Sequence, residues 1–545
     1  MTLIYRTVCT QKIEIPLAFD VPYIGPDSAL QNHREWMVVV RTVPVFQGDV
    51  VVWLHDARIY PKIVPYLYPV ILENIKVDRA GGRGVAVGKT DDGKTVLIRG
   101  AAPGDVVDVR VIKGKKSYFE GRVDRVVSPS PLRVEPSCKH TESCGGCPWQ
   151  HLGYPSQAEF KAAEVEEQLV RVGSVPRDGV VWHPFIPAPE PFRYRNKTEF
   201  SFTNNRWRTR GELEANPDAA SEPGLGFHVP GFWDKILDVQ DCHLIPDYGN
   251  QIRNAVRDEA LALGISFWQP RAKVGALRVA MLRSNQAGDW MMIIQWGEHP
   301  GPDGFTMMHR ITEKFDRLVS LYWGLNEKVN DSMYDVDLNL FYGTESLEEE
   351  MEPALEGGRA LKFLISPKSF YQTNPLQAHR LYSVALTAAG LKGGETVYDL
   401  YTGTGTIALF MAQIAGKVVG IESVREAVDA AVRNAERNGI SNATFEVGDM
   451  RRIFTAEFVA RHGSPDVVVV DPPREGMHPA VVAELTRIKA PKLVYVSCNP
   501  STQARDIQML SEAYEVATVQ GVDMFPQTFH VESVVLLRAK SATEA

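Results

Sequence analysis

The sequence has little cysteine and no long apolar run, and these absences limit what the protein can be. Six cysteines among 545 residues are too few for a disulfide framework. No apolar run of about 18 residues is present. The first residues also lack the basic-then-apolar order of a signal peptide. We therefore expect a cytoplasmic protein that has no membrane partner. A monomer is expected as well.

The chain as a whole carries no excess of positive charge, since its formal net charge is -8. Local charge, however, decides whether a surface can contact nucleic acid. Residues 72–127 hold twelve Lys and Arg against eight Asp and Glu, and residues 192–210 hold six against one. Both segments are candidate RNA-facing surfaces, although an ordinary solvated basic face would have the same composition.

The first two-thirds of the chain divides into three predicted regions, since 545 residues are too many for one core. Residues 1–68 form an N-terminal extension without an assignable function. Residues 69–130 alternate short β-rich runs with Gly, Asp and Lys turns, which predicts a small barrel able to bind RNA. Residues 131–365 form an α+β central domain, with an amphipathic helix at 156–172 and a solvated acidic loop at 345–356.

Residues 366–545 are predicted to form an α/β domain. Strands and helices alternate strictly in this region, which implies a parallel, doubly wound sheet that binds ligands at its carboxyl edge. The predicted strands are 396–400, 418–422, 467–471, 493–497 and 533–537. The predicted helices are 407–414, 425–438, 480–488 and 502–512.

A glycine-rich turn within Tyr398–Thr406 lies between a predicted strand and helix, where backbone amides can approach a polar ligand. Its spacing also fits the dinucleotide pattern G-x-G-x-x-A, so a nicotinamide-dependent oxidoreductase is an alternative. Asp399 favours S-adenosylmethionine, because a carboxylate there would repel a pyrophosphate. Glu422, at the end of the next strand, suits the ribose hydroxyls of an adenosine, and Asp449 offers a further polar group near the adenine.

Three further polar strings fall at the same predicted sheet edge. Asp471–Gly476 closes one strand, Ser497–Pro500 closes the next, and Phe529–Glu532 precedes the last. A lone cysteine is usually a small buried hydrophobe. Cys498, however, lies just before a predicted helix whose positive N-terminus would favour its thiolate.

Three cysteines, Cys138, Cys144 and Cys147, fall within ten residues, and Cys242 is a distant fourth. Four thiolates suit either a [4Fe–4S] cluster or a zinc ion, and the spacing alone does not choose between them. The spacing is not C-x3-C-x2-C, which disfavours radical chemistry and leaves a structural role.

From about residue 70 onward the sequence resembles the RNA 5-methyluridine methyltransferases, especially the iron–sulfur group that acts on 23S rRNA and carries a TRAM domain. The resemblance implies a Rossmann-like methyltransferase domain at residues 366–545. The strings that carry the resemblance are Cys138-x5-Cys144-x2-Cys147, Phe370–Asn374, Asp399–Gly405, Asp471–Gly476, Ser497–Pro500 and His530–Glu532.

The resemblance assigns roles to particular residues. It makes Cys498 the nucleophile and Glu532 the base that removes the C5 proton, and it favours iron–sulfur over zinc on the four thiols. One departure is Thr402, where many relatives have cysteine. The residues that it puts around the cofactor and target base are Gln372, Tyr401, Thr406, Glu422, Asp449 and Asp471.

The chemistry explains these residue types. Uracil C5 is a poor nucleophile, and addition of a thiolate to C6 makes an enolate that can take a methyl group at C5. Glu532 would then allow elimination of the cysteine, and Asp471 could accept a hydrogen bond from uracil N3–H. A tRNA uridine methyltransferase would use the same residues. A non-catalytic RNA-binding assembly protein would not need both Cys498 and Glu532.

Overall fold

The structure is a computed structural model that describes residues 70–541 except Ser221, together with the backbone of four N-terminal strands. The chain divides into two compact units, of which the first holds residues 1–77, 88–101 and 105–128. The rest of the predicted N-terminal extension lies outside the described residues. The four strands, in the order β2-β1-β4-β3, are β1 (Ile4–Arg6), β2 (Lys12–Glu14), β3 (Trp36–Val40) and β4 (Val50–Leu54).

A closed five-stranded barrel follows, in the order β5-β6-β7-β9-β8. Alternate side chains on its strands, such as Val96 and Ile98 or Val107 and Val109, are fully buried, which is the period expected of a strand with one inward face. The predicted small barrel is confirmed. Its strands are β5 (Ile71–Ala80), β6 (Ala86–Lys89), β7 (Thr95–Arg99), β8 (Val106–Gly114) and β9 (Tyr118–Ser128).

Helix α1 (Tyr154–Arg171) confirms the predicted amphipathic helix. Its buried side chains recur every four residues along one face: Gln157, Lys161, Val165 and Leu169. Strand β10 (Val181–Trp182) follows and pairs in parallel with a strand near the C-terminus. Within the described residues, no helix combines the length and the apolar composition that crossing a membrane requires.

The central region is built on a seven-stranded sheet in the order β13-β12-β11-β14-β15-β16-β17. Neighbouring strands are antiparallel except β15 and β16, and helices α3 and α4 share a core with the sheet. The strands are β11 (Lys197–Thr203), β12 (Gly224–His228), β13 (Ile236–Asp238), β14 (Leu277–Ser284), β15 (Trp290–Trp296), β16 (Leu318–Leu325) and β17 (Leu338–Gly343). The helices are α2 (Arg210–Ala215), α3 (Asp247–Ala262) and α4 (Gly301–Lys314).

The acidic stretch at 345–356 is not the solvated loop that we predicted. Residues Leu347–Met351 form strand β18, which pairs with β19 (Leu361–Ile365). Leu347, Glu349 and Met351 alternate with exposed neighbours and are buried, so Glu349 faces the core and burial raises its pKa to about 7. Burial alternates with a period of two residues in this segment, as is typical of a half-buried strand, and the run of glutamates hid that pattern in the sequence.

The C-terminal region contains an eight-stranded sheet in the order β10-β25-β26-β24-β23-β20-β21-β22. Successive residues of its strands alternate between two cores, one on each face, so both faces are covered. The strands are β20 (Thr396–Leu400), β21 (Lys417–Glu422), β22 (Ala443–Val447), β23 (Val467–Val470), β24 (Lys492–Ser497), β25 (Tyr514–Val522) and β26 (Glu532–Ala539). The helices are α5 (Pro375–Ala389), α6 (Thr406–Ala412), α7 (Arg425–Arg437), α8 (Met450–Ile453), α9 (Ala456–His462), α10 (Pro479–Ile488) and α11 (Pro500–Leu510).

The predicted α/β alternation is confirmed, but the sheet is not wholly parallel. Strand β26 runs antiparallel to both of its neighbours, β24 and β25. Strand β25, which the sequence analysis missed, leads into β26 through a loop at 523–531 that contains no helix. A connection without a crossover helix reverses the strand direction. The start of β26 therefore lies beside the carboxyl ends of the parallel strands.

Candidate active site

A cleft with a volume of about 1870 Å³ opens at the carboxyl ends of β20, β21, β23 and β24. This is the edge at which open α/β sheets bind ligands. Asp449 is not among the residues that line it. The cleft brings together seven of the residues singled out from the sequence: Gln372, Tyr401, Thr406, Glu422, Asp471, Cys498 and Glu532.

The turn after β20 requires its glycines. Tyr401, Gly403 and Gly405 all have positive φ, with values of 68°, 57° and 82°. A Cβ atom on Gly405 would lie 2.9 Å from the Cβ of Ala431, which is too close for any real contact. The helix α6 that follows begins at Thr406, so its first amides face the cleft.

Glu422 at the end of β21 organises this turn. One carboxylate oxygen accepts from the backbone N–H of Gly403 at 3.2 Å. The other accepts from the N–H groups of Ser423 at 2.6 Å and Val424 at 3.0 Å. The carboxylate thus lies between the glycine-rich turn and the segment that leads into helix α7.

Asp449 has a different environment. It caps helix α8 by accepting from the N–H of Arg451, and it also forms an ion pair with that guanidinium. Hydrogen bonds from Arg451 lower the pKa of Asp449 to about 2. Its charge still reaches Tyr401, whose pKa rises to about 12, chiefly through burial and also through Asp506 and Asp449. Asp449 therefore flanks the cleft without lining it.

The floor of the cleft is acidic. Asp399 is 1% exposed, and its Oδ2 accepts from the Thr402 hydroxyl at 2.6 Å, while its Oδ1 has no partner among the described residues. Burial raises the pKa of Asp399 to about 7. Burial and the neighbouring Asp399 also raise the pKa of Asp471 to about 7. Such a floor suits a cationic ligand and disfavours a pyrophosphate.

Cys498 lies immediately before helix α11. Asn499 caps this helix with its side chain, and Pro500 occupies its first turn, so the helix start is fixed by the sequence. We expected the helix N-terminus to favour the thiolate, but other effects outweigh it. Burial and the carboxyl groups of Glu532 and Asp471 raise the pKa of Cys498 to about 11, against a lowering by Arg474.

Glu532 is the first residue of β26 and is 4% exposed. Burial and the nearby Asp471 hold its pKa well above the usual range, while Arg474 opposes them. Burial, together with Arg474 and Lys161, lowers the pKa of His530 to about 4, so this imidazole is neutral at pH 7. Glu532 is thus a buried carboxyl group whose electrostatic partners are Cys498, Asp471 and Arg474.

Arg474 is a site residue that the sequence analysis missed. Its guanidinium lowers the pKa of Cys498, and its backbone carbonyl accepts from the Asn499 side chain at 2.9 Å and from the Thr502 hydroxyl at 3.2 Å. These bonds join the loop of Asp471 to the loop of Cys498. The available signal was its place in the Asp-Pro-Pro-Arg string, three residues after Asp471.

The four thiols of Cys138, Cys144, Cys147 and Cys242, called here the four-thiol group, are free and partly buried. Burial and, to a smaller extent, the Cys242 and Cys138 thiols raise the pKa of Cys144 to about 11. The pKa of Cys147 is raised by burial and by the other three thiols. Among the described residues, no three or more His, Cys, Asp or Glu side chains have an arrangement that would hold a metal ion.

Comparison with known proteins agrees with this geometry. Residues 340–540 match the family model of tRNA (uracil-5-)-methyltransferases, and residues 73–123 match the TRAM domain. An uncharacterized RNA methyltransferase of Bacteroides thetaiotaomicron is 42% identical over 460 residues, which cover 84% of this chain and 99% of that protein. A second from Chlorobaculum tepidum is 35% identical, covering 82% and 92% of the two chains.

A solved structure extends the comparison. The Pyrococcus abyssi tRNA (uracil-54, C5)-methyltransferase, in complex with S-adenosyl-L-homocysteine, is 29% identical with a TM-score of 0.65. The match covers 85% of this chain and 100% of that one. By sequence identity over most of its length, by its TRAM domain and by its methyltransferase fold, this chain belongs to the RNA (uracil-5-)-methyltransferase family.

Proposed function

We propose that this protein transfers the methyl group of S-adenosylmethionine to C5 of a uridine in RNA through a covalent cysteine adduct. The observation that carries the proposal is the convergence of Cys498, Glu532 and Asp471, next to a glycine-rich turn, in one cleft. The acidic floor of that cleft suits the positive charge of S-adenosylmethionine. It argues against the nicotinamide alternative, whose pyrophosphate is anionic.

Cys498 reacts as the thiolate and begins the reaction by adding its sulfur to C6 of the uracil. The π electrons of the C5–C6 bond then move toward C5 and O4. Arg474 favours the thiolate because its positive charge lowers the pKa of Cys498. When bound, S-adenosylmethionine supplies an electrophilic methyl group, which C5 takes. Glu532 then removes the C5 proton, the C5–C6 double bond re-forms, and the Cys498–C6 bond breaks.

Asp471 is the residue proposed to select uracil over cytosine. Its carboxyl group, with a pKa near 7, lies beside Cys498 and Glu532 and can accept from the uracil N3–H. Cytosine has no hydrogen at N3, so it would leave this acceptor without a partner. A site that hydrogen-bonds one base strongly rejects a base that lacks the donor.

We propose 23S rRNA as the substrate, because the four-thiol group is the feature that carries the resemblance to the rRNA-specific group. A tRNA substrate is the second candidate, favoured by the likeness to the Pyrococcus abyssi enzyme. The catalytic residues are the same for both. Mapping 5-methyluridine in rRNA and tRNA from a deletion strain distinguishes them. Loss from rRNA alone supports the proposal, and loss from tRNA alone contradicts it.

The four-thiol group is proposed to hold a structural [4Fe–4S] cluster. Its thiols raise one another's pKa, so together they favour a bound cation that would stabilise the thiolates. Four cysteines without histidine are the usual ligand set of such a cluster. Trp149, two residues after Cys147, donates its backbone N–H to the carbonyl of Gln527 at 3.0 Å. The cysteine-bearing segment therefore supports the loop that leads to Glu532.

A further inference from the structure

The loop at 366–374 connects strand β19 to helix α5, and several of its residues line the cleft. Phe370 on this loop is 67% exposed, although it lines the cleft, and Gln372 is one of the proposed cofactor or base contacts. An exposed aromatic side chain on a loop needs a rigid support if it is to hold one position. Several of the loop's backbone carbonyls are supported from the central sheet.

Arg283 on strand β14 is 2% exposed and bonds to this loop. Its Nη1 donates to the carbonyl of Ser366 at 2.7 Å and to that of Pro367 at 3.1 Å, and its Nη2 donates to the carbonyl of Ser369 at 2.8 Å. The guanidinium thus donates to three backbone carbonyls rather than to a carboxylate. Burying a charge in this way is costly unless its hydrogen bonds are satisfied.

Asn196 supports the other half of the loop. Its side-chain amide donates to the carbonyl of Gln372 at 3.1 Å, and its backbone N–H donates to the carbonyl of Thr373 at 2.9 Å. Asn196 also accepts from the N–H of Ser284, the residue after Arg283, at 2.9 Å. Two neighbouring positions of the central sheet therefore hold five carbonyls of one loop.

The same strand offers a matched comparison. Arg278 is 1% exposed and donates to the carbonyls of Asn326, Lys328 and Asn330 in a different loop, and it is also paired with Asp331. Residues 326–331, all of them described, do not line the cleft, whereas Ser366, Pro367 and Ser369 do. The two arginines are alike in burial and in donating to three backbone carbonyls, but they hold different loops, and Arg278 alone of the two also pairs with a carboxylate.

We propose that Arg283, assisted by Asn196, is a positioning residue for the reaction: it fixes the backbone of the 366–374 loop and so sets where Phe370 and Gln372 stand in the cleft. The consequence for the reaction rests on the proposed function, but the effect on the loop does not. Misplacing a contact by about 1 Å typically costs on the order of a hundredfold in rate. The RNA-dependent step should therefore respond to Arg283 more than to Arg278.

The test compares Arg283→Lys with Arg278→Lys in the full-length protein. Lysine keeps the charge but cannot donate to three separated carbonyls, because it lacks the planar fork. Hydrogen–deuterium exchange without substrate should rise in residues 366–374 for Arg283→Lys only. The kcat/KM for RNA should fall by roughly ten- to a hundredfold for Arg283→Lys and less than about twofold for Arg278→Lys, at comparable loss of Tm.

Unchanged exchange in residues 366–374 would overturn the proposal, as would equal kcat/KM values for the two variants. If Arg283→Lys does not fold, Asn196→Ala serves as the second variant. It removes one side-chain bond and should raise exchange at residues 370–374, and unchanged exchange there would contradict the proposal. If the wild type methylated no uridine, the proposed function would fail, while the exchange measurement would still test the clamp.

Discussion

The protein holds two kinds of cysteine site, and their surroundings differ. Cys498 stands alone among unlike groups: two carboxyls raise its pKa and the Arg474 guanidinium lowers it. In the four-thiol group, by contrast, the charges that raise the pKa of Cys147 are those of its fellow cysteines. A thiol among acid and cation partners can gain and lose a proton within a reaction cycle. Thiols that repel one another as anions instead favour a shared cation.

The two sites differ in the charges beside each thiol, and burial acts on both alike. Burial is the largest cause of the raised pKa at Cys498 and at Cys144, and it raises both to about 11. What separates the sites is the neighbouring group that adds to burial in raising the pKa, which is carboxyl at Cys498 and thiol at Cys144. Variants that remove one site and spare the other test this division.

The largest expected effect is that of Cys498→Ala. Removing the thiolate abolishes addition to C6, so methyl transfer should fall to background, which is at least roughly a thousandfold below wild type. Cofactor affinity and iron content should stay normal, because neither depends on this side chain. Transfer of radiolabelled methyl groups to RNA measures the methyl transfer activity, and metal analysis measures the iron content. Methyl transfer above background would remove Cys498 from the mechanism.

Cys242→Ser should have the opposite pattern of effects. We expect anaerobically purified wild type to be brown, with roughly four iron atoms per chain, and the serine variant to lose iron and solubility together. Cys498→Ala is the control that keeps the cluster. Normal iron content in Cys242→Ser would show that Cys242 is not the fourth ligand. Stoichiometric zinc in a colourless wild type would overturn the iron assignment.

A smaller effect is expected from Glu422→Ala. Glu422 bonds to the glycine-rich turn and is proposed to accept from the ribose hydroxyls, so its loss should weaken S-adenosylmethionine binding by about 1.5 to 3 kcal/mol. Calorimetric titration gives this value. RNA affinity should change little, because phosphate contacts are expected to dominate it. Loss of RNA binding with normal cofactor affinity would show that the turn has another role.

The smallest effect concerns proton affinity at Cys498. With a pKa of about 11, the thiolate fraction and the rate of alkylation by iodoacetamide should rise about tenfold per pH unit from pH 7 to 9. Arg474→Met removes the cation that lowers this pKa, so alkylation at pH 8 should slow severalfold. Peptide mass spectrometry measures the modification at Cys498. A pH-independent rate, or faster alkylation in the variant, would contradict the proposed electrostatics.

The sequence was enough to predict which residues meet in the cleft, but not the strand direction and burial of several segments around it. Asp471 and Cys498 follow strands whose burial and alternation with helices are local signals, so their meeting at one edge could be deduced. The antiparallel direction of β26 and the burial of Glu349 could not, since both depend on pairing between distant segments. Arg283 gave no signal either, because its partners are the backbone carbonyls of a loop 83 to 86 residues away in sequence.

The family membership is shown by identity along the chain. The roles of Cys498 and Glu532 are predictions that the cleft geometry supports, because both groups lie in one electrostatic network with Asp471 and Arg474. Their division of labour is the central claim.

The most direct test of that claim is to mix Glu532→Gln with substrate RNA and radiolabelled S-adenosylmethionine and to look for a denaturation-resistant protein–RNA species. Glutamine leaves addition and methyl transfer possible but cannot take the C5 proton, so elimination should stall after methylation. The trapped species should carry the labelled methyl group, and Cys498→Ala should form no such species. Normal turnover by Glu532→Gln, or an adduct with Cys498→Ala, would contradict the claim.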